Sequence, residues 1–172
     1  MAKDGIKLEF SDKALRNHIK KMDSWSTKTL DQVNDQIKKV TFNVAADAQQ
    51  NVKDNGSIAT SNLINSISTR FKNSKYGEIG IVKVNAIYGA AVEFGRKAGG
   101  MPPVTPLITW VRKKIESDPI MAKSIAFAIA KSIAKNGTQP RPFLIPAFKK
   151  GAKDLEKRLI KVLKNSGKNS KV

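Results

Sequence analysis

Cysteine is absent from this chain of 172 residues, and histidine occurs only once. The absence of cysteine excludes disulfides, thiol nucleophiles and cysteine-based zinc or iron–sulfur sites. The single histidine, His18, lies among apolar residues at helical spacing, and no second histidine exists to complete a triad or a metal site. We therefore expect His18 to be a packed or half-exposed core residue, and we expect no bound metal.

Long apolar runs and nucleotide-binding motifs are also missing. No segment approaches the ~20 apolar residues of a membrane span, and the N-terminal sequence lacks the apolar core of a signal peptide. The segment GRKAGG at residues 95–100 matches neither a P-loop nor a dinucleotide fingerprint, and prolines follow it where a helix would be needed. We expect a soluble protein made in a cytoplasm, with no membrane contact and no cofactor.

Acidic residues are scarce relative to basic ones. The chain has 32 Lys/Arg and 14 Asp/Glu, a net charge of +18. Residues 96–172 carry 18 basic and 4 acidic residues, whereas residues 1–95 carry 14 and 10. This asymmetry indicates a polyanion or an acidic protein partner. A solvated lysine surface that only aids solubility explains it equally well. Aromatic residues are few and are not interleaved with the basic ones, which argues against a stacking platform for single strands.

The remaining composition is that of an ordinary globular domain, at 40% hydrophobic and 27% charged residues. Alternating apolar and polar residues predict a short strand at residues 6–10 and a β-hairpin at residues 66–72 and 78–84. Apolar residues at steps of three and four from Leu30 to Val52 predict an amphipathic helix of about 25 residues. Further helices are predicted at residues 11–22, 105–116 and 120–134, and from Pro146 onward. Ser117, Asp118 and Pro119 are expected to end the helix at residues 105–116 and to cap the next one.

These elements predict an α+β fold in which a small antiparallel sheet, the hairpin plus the short N-terminal strand, packs against the long helix, with additional C-terminal helices. There is no internal repeat and no clean linker. We therefore expect a single domain over residues 1–164 with a projecting loop at residues 95–106. Residues 165–172 are polar and lysine-rich and are expected to form a flexible basic tail.

The most informative stretch is NAIYGAAVEFGRKAGGMPPVTPLITW at residues 85–110. Its glycine and proline pairs disfavour a helix or a central strand. The loop is nevertheless bracketed by Phe94, Met101, Leu107 and Trp110, which favour burial. A long loop with apolar anchors is typical of a surface segment that contacts a partner.

No catalytic constellation accompanies this stretch. Glu93 has no second carboxylate nearby, so a hydrolase built on it lacks its partner group. We expect Glu93 to form an internal or intersubunit ion pair, for which Arg96, three residues later, is the nearest cation. The sequence therefore predicts a protein that is not an enzyme.

The last helix is rich in lysine and poor in the amide side chains that read base edges. It could contact phosphates without reading sequence, although an outward lysine face with no ligand is at least as good an explanation. The candidate phosphate contacts are Lys149, Lys150, Lys153 and Lys157.

Four sequence boxes, in order, resemble the tail-completion or head–tail joining proteins of long-tailed bacteriophages. They are NSI at residues 65–67, IYGAA at residues 87–91, VEFG at residues 92–95 and RPFLIPA at residues 141–147. The match spans about residues 25 to 165. One departure is ATSNL at residues 59–63, which lacks the glycine that the family often has before its Ser-Ile pair.

The resemblance implies a structural virion protein of the phage neck or tail top. Such a protein forms a homo-oligomeric ring, hexameric or dodecameric, that joins the tail to the head–connector complex around the DNA channel. Its partners are other neck, connector and tail proteins, with transient contact to genomic DNA. It resides in the virion and, during assembly, in the host cytoplasm. The alternative is a basic accessory protein that binds nucleic acid without sequence specificity.

Under this hypothesis the apolar anchors and rim charges contact other subunits or partner proteins. For Phe94 and Phe143 an equally good alternative is that each fills the core of its own subunit. Glu93, Arg96 and Arg141 are the expected rim charges. The full set of expected interface residues is Tyr88, Glu93, Phe94, Arg96, Met101, Pro103, Arg141, Pro142 and Phe143.

Overall fold

The computed structural model describes residues 7–9, 27–56, 61–75 and 77–168, and it has the predicted α+β architecture. The predicted helix at residues 11–22, with His18, lies outside the described residues. The elements, in chain order, are β1 (Lys7–Glu9), α1 (Thr27–Asp54), α2 (Asn62–Asn65), β2 (Ile67–Ser74), β3 (Gly77–Val84), α3 (Gly89–Phe94), α4 (Val104–Lys114), α5 (Pro119–Asn136) and α6 (Leu144–Lys168).

Helix α1 is the central element, and it begins and ends within three residues of the predicted span. Its stripe of valine, isoleucine and alanine is buried, as the spacing predicts. Burying one valine side chain stabilises the folded state by roughly 1.5 kcal/mol or more, so the stripe fixes which face of α1 turns inward. The buried apolar residues of α1 are Val33, Ile37, Val40, Val44, Ala45, Ala48 and Val52.

The sheet covers one side of α1. Its strand order is β1-β3-β2 with antiparallel pairing throughout, and the hairpin register pairs Ile67 with Val84. The connection between the two strands is shorter than predicted, since β2 continues to Ser74 and β3 begins at Gly77. Strand β3 lies directly against α1 at Gly80, where a Cβ atom would lie 1.9 Å from the Thr41 hydroxyl oxygen. The hairpin and its packing on the long helix are therefore confirmed.

Helix α6 packs along α1 in the antiparallel direction. Thr29, at the start of α1, donates a hydrogen bond from its hydroxyl to that of Ser166 near the end of α6. Asn51, near the end of α1, donates from its side chain to the carbonyl of Phe143 just before α6. Leu155, Leu159 and Val162 of α6 pack on Val33 and Ile37 of α1. Helix α6 continues to Lys168, beyond residue 165, where the flexible tail was predicted to begin.

Helices α4 and α5 pack mainly on each other and form a helical hairpin with a small core of its own. Val111, Ala122 and Ala126 are fully buried in this core. Asp118 begins α5 as the sequence predicts, since its carboxylate accepts a hydrogen bond from the backbone N–H of Met121 at 2.7 Å. The hairpin is inserted in the chain between the VEFG and RPFLIPA boxes.

Candidate oligomerisation and partner-binding site

Glu93, in the last turn of α3, caps the beginning of α6. Its side chain is only 2% exposed. One carboxylate oxygen accepts hydrogen bonds from the backbone N–H groups of Phe143 and Leu144, each at 2.8 Å, and the other accepts from Ile145 at 2.9 Å. The first N–H groups of a helix have no acceptor within it, and negative charge is favourable there. We call this arrangement the Glu93 clamp.

The Glu93 clamp corrects the prediction for Glu93. The carboxylate lies inside its own chain, so its role as a rim charge is wrong. The ion pair with Arg96 is also wrong, because the Arg96 guanidinium donates instead to the carbonyl of Gly100 within the glycine loop. Glu93 is held by backbone dipoles.

Phe143 is the second correction. It is fully buried in the core that α1 forms with the sheet and α6. It therefore fills the core of its own subunit, the alternative already weighed, and it is not available as an intersubunit anchor. The clamp holds the backbone of Phe143, and the side chain lies in a core that contains Val44 and Val52 of α1.

The loop at residues 138–143, which precedes α6 and which we call the proline loop, is hydrogen-bonded to the residue that follows α1. The side chain of Asn55 donates to the carbonyl of Pro142 at 2.9 Å, and the guanidinium of Arg141 donates to the carbonyl of Asn55 at 3.4 Å. The backbone N–H of Arg141 donates to the carbonyl of Val92 at 2.8 Å. The side chains of Arg141 and Pro142 remain exposed, so this loop offers a fixed outer surface.

Two antiparallel segments of the chain connect the helical hairpin to the body, and we call them the stem. Arg96 and Thr138 form an isolated antiparallel bridge with N···O distances of 2.9 and 2.7 Å. Gly95 and Gly137 flank it with φ angles of 71° and 73°, a region that favours glycine. A Cβ atom on Gly137 would lie 2.1 Å from the Arg96 carbonyl oxygen. Glycine is therefore required at position 137 for the two segments of the stem to lie this close together.

Large apolar side chains are exposed next to the stem and on the helical hairpin. Phe94 is 60% exposed, and Ile120, at the tip of the hairpin, is 80% exposed. A contiguous patch of exposed apolar side chains marks a contact with another molecule, whereas single exposed apolar residues are ordinary on a protein surface. Among the described residues, those on the glycine–proline loop and the helical hairpin are Met101, Ile115, Ile120, Met121 and Phe127.

The other expected interface residues divide by exposure. Met101 and Pro103 are exposed on the loop, whereas Tyr88 and Arg96 are half-buried. Tyr88 packs partly against the main core. The clamp and the stem bring Glu93, Arg96 and Arg141 into one region, while Met101 and Pro103 lie further along the loop. Phe94, Met101, Pro103, Arg141 and Pro142 thus present side chains that a second molecule could contact.

The lysines of α6 form a separate surface. Lys149, Lys153, Lys157, Lys161 and Lys164 are all exposed, and we call these five the lysine row. Lys150, also a predicted phosphate contact, instead pairs with Asp47 of α1 at 2.9 Å. Arg158 likewise forms an ion pair, with Asp154 at 2.8 Å.

The described part of the chain contains no group of three or more His, Cys, Asp or Glu side chains that could hold a metal ion. None of its helices is both long enough and apolar enough to cross a bilayer. The exposed apolar side chains and the lysine row are therefore the surface features that call for a functional explanation.

Sequence reasoning missed the amide side chains that hold the proline loop. Asn51, in the last turn of α1, and Asn55, just after the helix, are four residues apart, and both donate to carbonyls of the loop that precedes α6. Their spacing places them on one side of the helix, which was the only available signal. The role of Glu93 left a signal too, since it stands in an apolar segment with no cation one helical turn away on the N-terminal side.

Comparison of the chain with protein-family models, with curated proteins and with solved structures found no match in any of the three. A function is therefore inferred from the contacts of this chain and from its ordered sequence boxes.

Proposed function

We propose that this chain is a structural protein of the phage neck or tail top, and that copies of it form a ring joining the tail to the head–connector complex around the DNA channel. The observation that carries the proposal is the Glu93 clamp. It joins the VEFG box to the RPFLIPA box, two of the four boxes on which the resemblance rests. Because a buried carboxylate needs donors and a helix start needs acceptors, the two boxes depend on each other physically.

The distribution of apolar surface supports assembly. The body formed by α1, the sheet and α6 buries its own core. Phe94 at the end of α3, Met101 in the loop and Ile120 in the helical hairpin are exposed, and Phe42, Ile87 and Ile160 are exposed elsewhere. Water contact with such side chains is unfavourable by roughly 25 cal/mol for each Å² of apolar surface. A neighbouring subunit or neck protein that covers them would recover this free energy.

The clamp also weighs against a hydrolase. Both oxygens of Glu93 are committed to three backbone N–H groups, and the side chain is buried. A general acid or base must reach a substrate proton within hydrogen-bond distance. The proposal therefore assigns no enzymatic activity to the chain.

The mass of the purified protein in solution tests the ring. We expect light scattering coupled to gel filtration to show one species of six or twelve copies of the 18.9 kDa chain. A chain that remains monomeric across the accessible concentration range would overturn the ring.

Substitution of an exposed phenylalanine tests where the ring closes. Phe94→Ser should leave the unfolding midpoint unchanged, since the side chain is mostly exposed, and should lower the measured mass to that of smaller species. The matched control is Ile160→Ser, which removes another exposed apolar side chain about 24 Å along α6 from its first turn. Equal loss of mass in both variants would contradict this location of the interface.

A further inference from the structure

The lysine row covers the face of α6 that points away from the protein. At 100° per residue its five members fall within about 120° of the helix circumference, opposite the face that packs on α1 through Leu155, Leu159 and Val162. The row extends from Lys149 to Lys164, a distance of about 22 Å at 1.5 Å per residue. Ile160, which is 46% exposed, lies within the same sector of the helix. The face is therefore outward, elongated and mainly positive.

The charge of this face is not a general property of the helices. Helix α1 has four basic and four acidic residues, whereas α6 has eight basic and two acidic residues. Consecutive members of the row are four, four, four and three residues apart, so each repels the next on the helix surface. Helix α1, with 28 residues against 25 in α6, also has an exposed face but carries no such row of like charges. A need for solubility alone therefore does not explain the row.

The carboxylates near the row do not neutralise it. Asp47 pairs with Lys150, and Asp154 pairs with Arg158 at the edge of the packed face. Glu156 lies at the margin of the lysine face and is the only other acidic residue on α6. No ion pair of a row lysine is seen among the described residues, so these charges are free for a ligand.

We propose that the lysine row binds the sugar–phosphate backbone of double-stranded nucleic acid without reading its sequence. Lysine is a point charge suited to phosphate, and the row contains none of the Asn, Gln or Arg side chains that read base edges in pairs of hydrogen bonds. The face carries no aromatic ring for unpaired bases to stack on, so the ligand is a duplex. The proposal goes beyond the ring and does not depend on it.

Salt dependence of duplex binding tests the row. The probe is a 30-base-pair DNA of arbitrary sequence, with affinity measured by fluorescence anisotropy between 50 and 200 mM NaCl. Each phosphate contact contributes about −0.9 to the slope of log K against log salt, so five contacts predict a loss of about 500-fold across this range. Replacement of Lys153, Lys157 and Lys161 by Gln should reduce the loss to about tenfold, and it should weaken binding at 100 mM by at least 100-fold.

The matched control removes the same charge elsewhere. Lys28, Lys39 and Lys53 lie on the outward face of α1 and are exposed. Their joint replacement by Gln should change affinity by less than threefold and leave the slope intact. Equal loss in the two triple variants would mean that only net charge attracts DNA, and it would overturn the assignment to the row. Absence of duplex binding at 50 mM NaCl would overturn it as well.

Two further measurements separate the remaining outcomes. Polyglutamate of matched charge should compete for the row at least tenfold less well than duplex DNA, and equal competition would assign the row to an acidic protein instead. The solution mass of the row variant should equal that of the unmodified protein. Loss of DNA binding with an unchanged mass supports the row, and a monomeric protein that still binds DNA through the row overturns the ring alone.

Discussion

Glu93 shows how a single buried carboxylate can be stabilised without a cation. Three backbone N–H groups surround its two oxygens at 2.8 to 2.9 Å. Hydrogen bonds to a charged group contribute about 1.5–3 kcal/mol each in proteins, and the partial positive charge of the helix start adds to them. The carboxylate and the three N–H groups would each be costly to bury alone. Together they fix where α6 begins.

We expect Glu93→Gln to lower the free energy of unfolding by about 3 kcal/mol. Glutamine keeps one acceptor oxygen but places an NH₂ group against a backbone N–H, so at least one buried donor loses its partner. Urea denaturation followed by circular dichroism measures the change. Glu156→Gln removes an exposed carboxylate from α6 and should change stability by less than about 0.5 kcal/mol. Equal stability of the two variants would show that the clamp contributes nothing.

The sequence could reveal that Glu93 is unusual but not what it binds. Side-chain patterns show charges, and an Arg three residues away was the obvious partner for an acid in an apolar segment. Its true partners are backbone N–H groups 50 to 52 residues later, and every residue except proline has such a group. The same reason hid the roles of Asn51 and Asn55, which donate to backbone carbonyls.

Whole elements were more predictable than their contacts. The stripe of α1, the alternation of the β-hairpin and the Asp118 cap of α5 are local signals, and each element is found where those signals place it. Helix α6 begins at Leu144, two residues before the expected Pro146. Its cap comes from α3, so no residue next to the helix start could indicate it.

The helical hairpin of α4 and α5 has a core separate from that of the body. The backbone N–H of Gly99 donates to the carbonyl of Ala134 at 2.7 Å, so the chain enters and leaves the hairpin at neighbouring points. Replacing residues 100–133 by an Asn-Gly turn should therefore leave the body folded. We expect cooperative urea unfolding with a free energy within about 2 kcal/mol of the full chain, since a shorter connection also costs less loop-closure entropy.

Two buried valines provide the control for this independence. Val111→Asp places a charge in the hairpin core, whereas Val44→Asp places one in the core of the body, and both positions are fully buried. The first should lose only the helical signal of the hairpin, and the second should unfold the chain. Failure of the shortened chain to fold, or global unfolding by Val111→Asp, would show that body and hairpin are one cooperative unit.

At the scale of the whole molecule, charge and apolar surface act in opposite directions. A ring gathers copies that each carry +18, and like charges repel across an interface. The exposed apolar side chains of the loop and the helical hairpin favour contact regardless of charge. The proposed assembly therefore has to overcome a repulsion that dissolved salt can screen.

Salt should consequently strengthen the ring while it weakens DNA binding. The screening length falls from about 10 Å at 0.1 M to about 3 Å at 1 M ionic strength, so repulsion between copies decreases while the apolar contact persists. We expect sedimentation velocity to show half-assembly at a lower protein concentration in 1 M than in 0.1 M NaCl. The variant lacking Lys28, Lys39 and Lys53 should assemble more readily at 0.1 M, because each copy carries three fewer charges. A ring that dissociates as salt rises would instead be held by ion pairs, and the exposed apolar residues would then need another explanation.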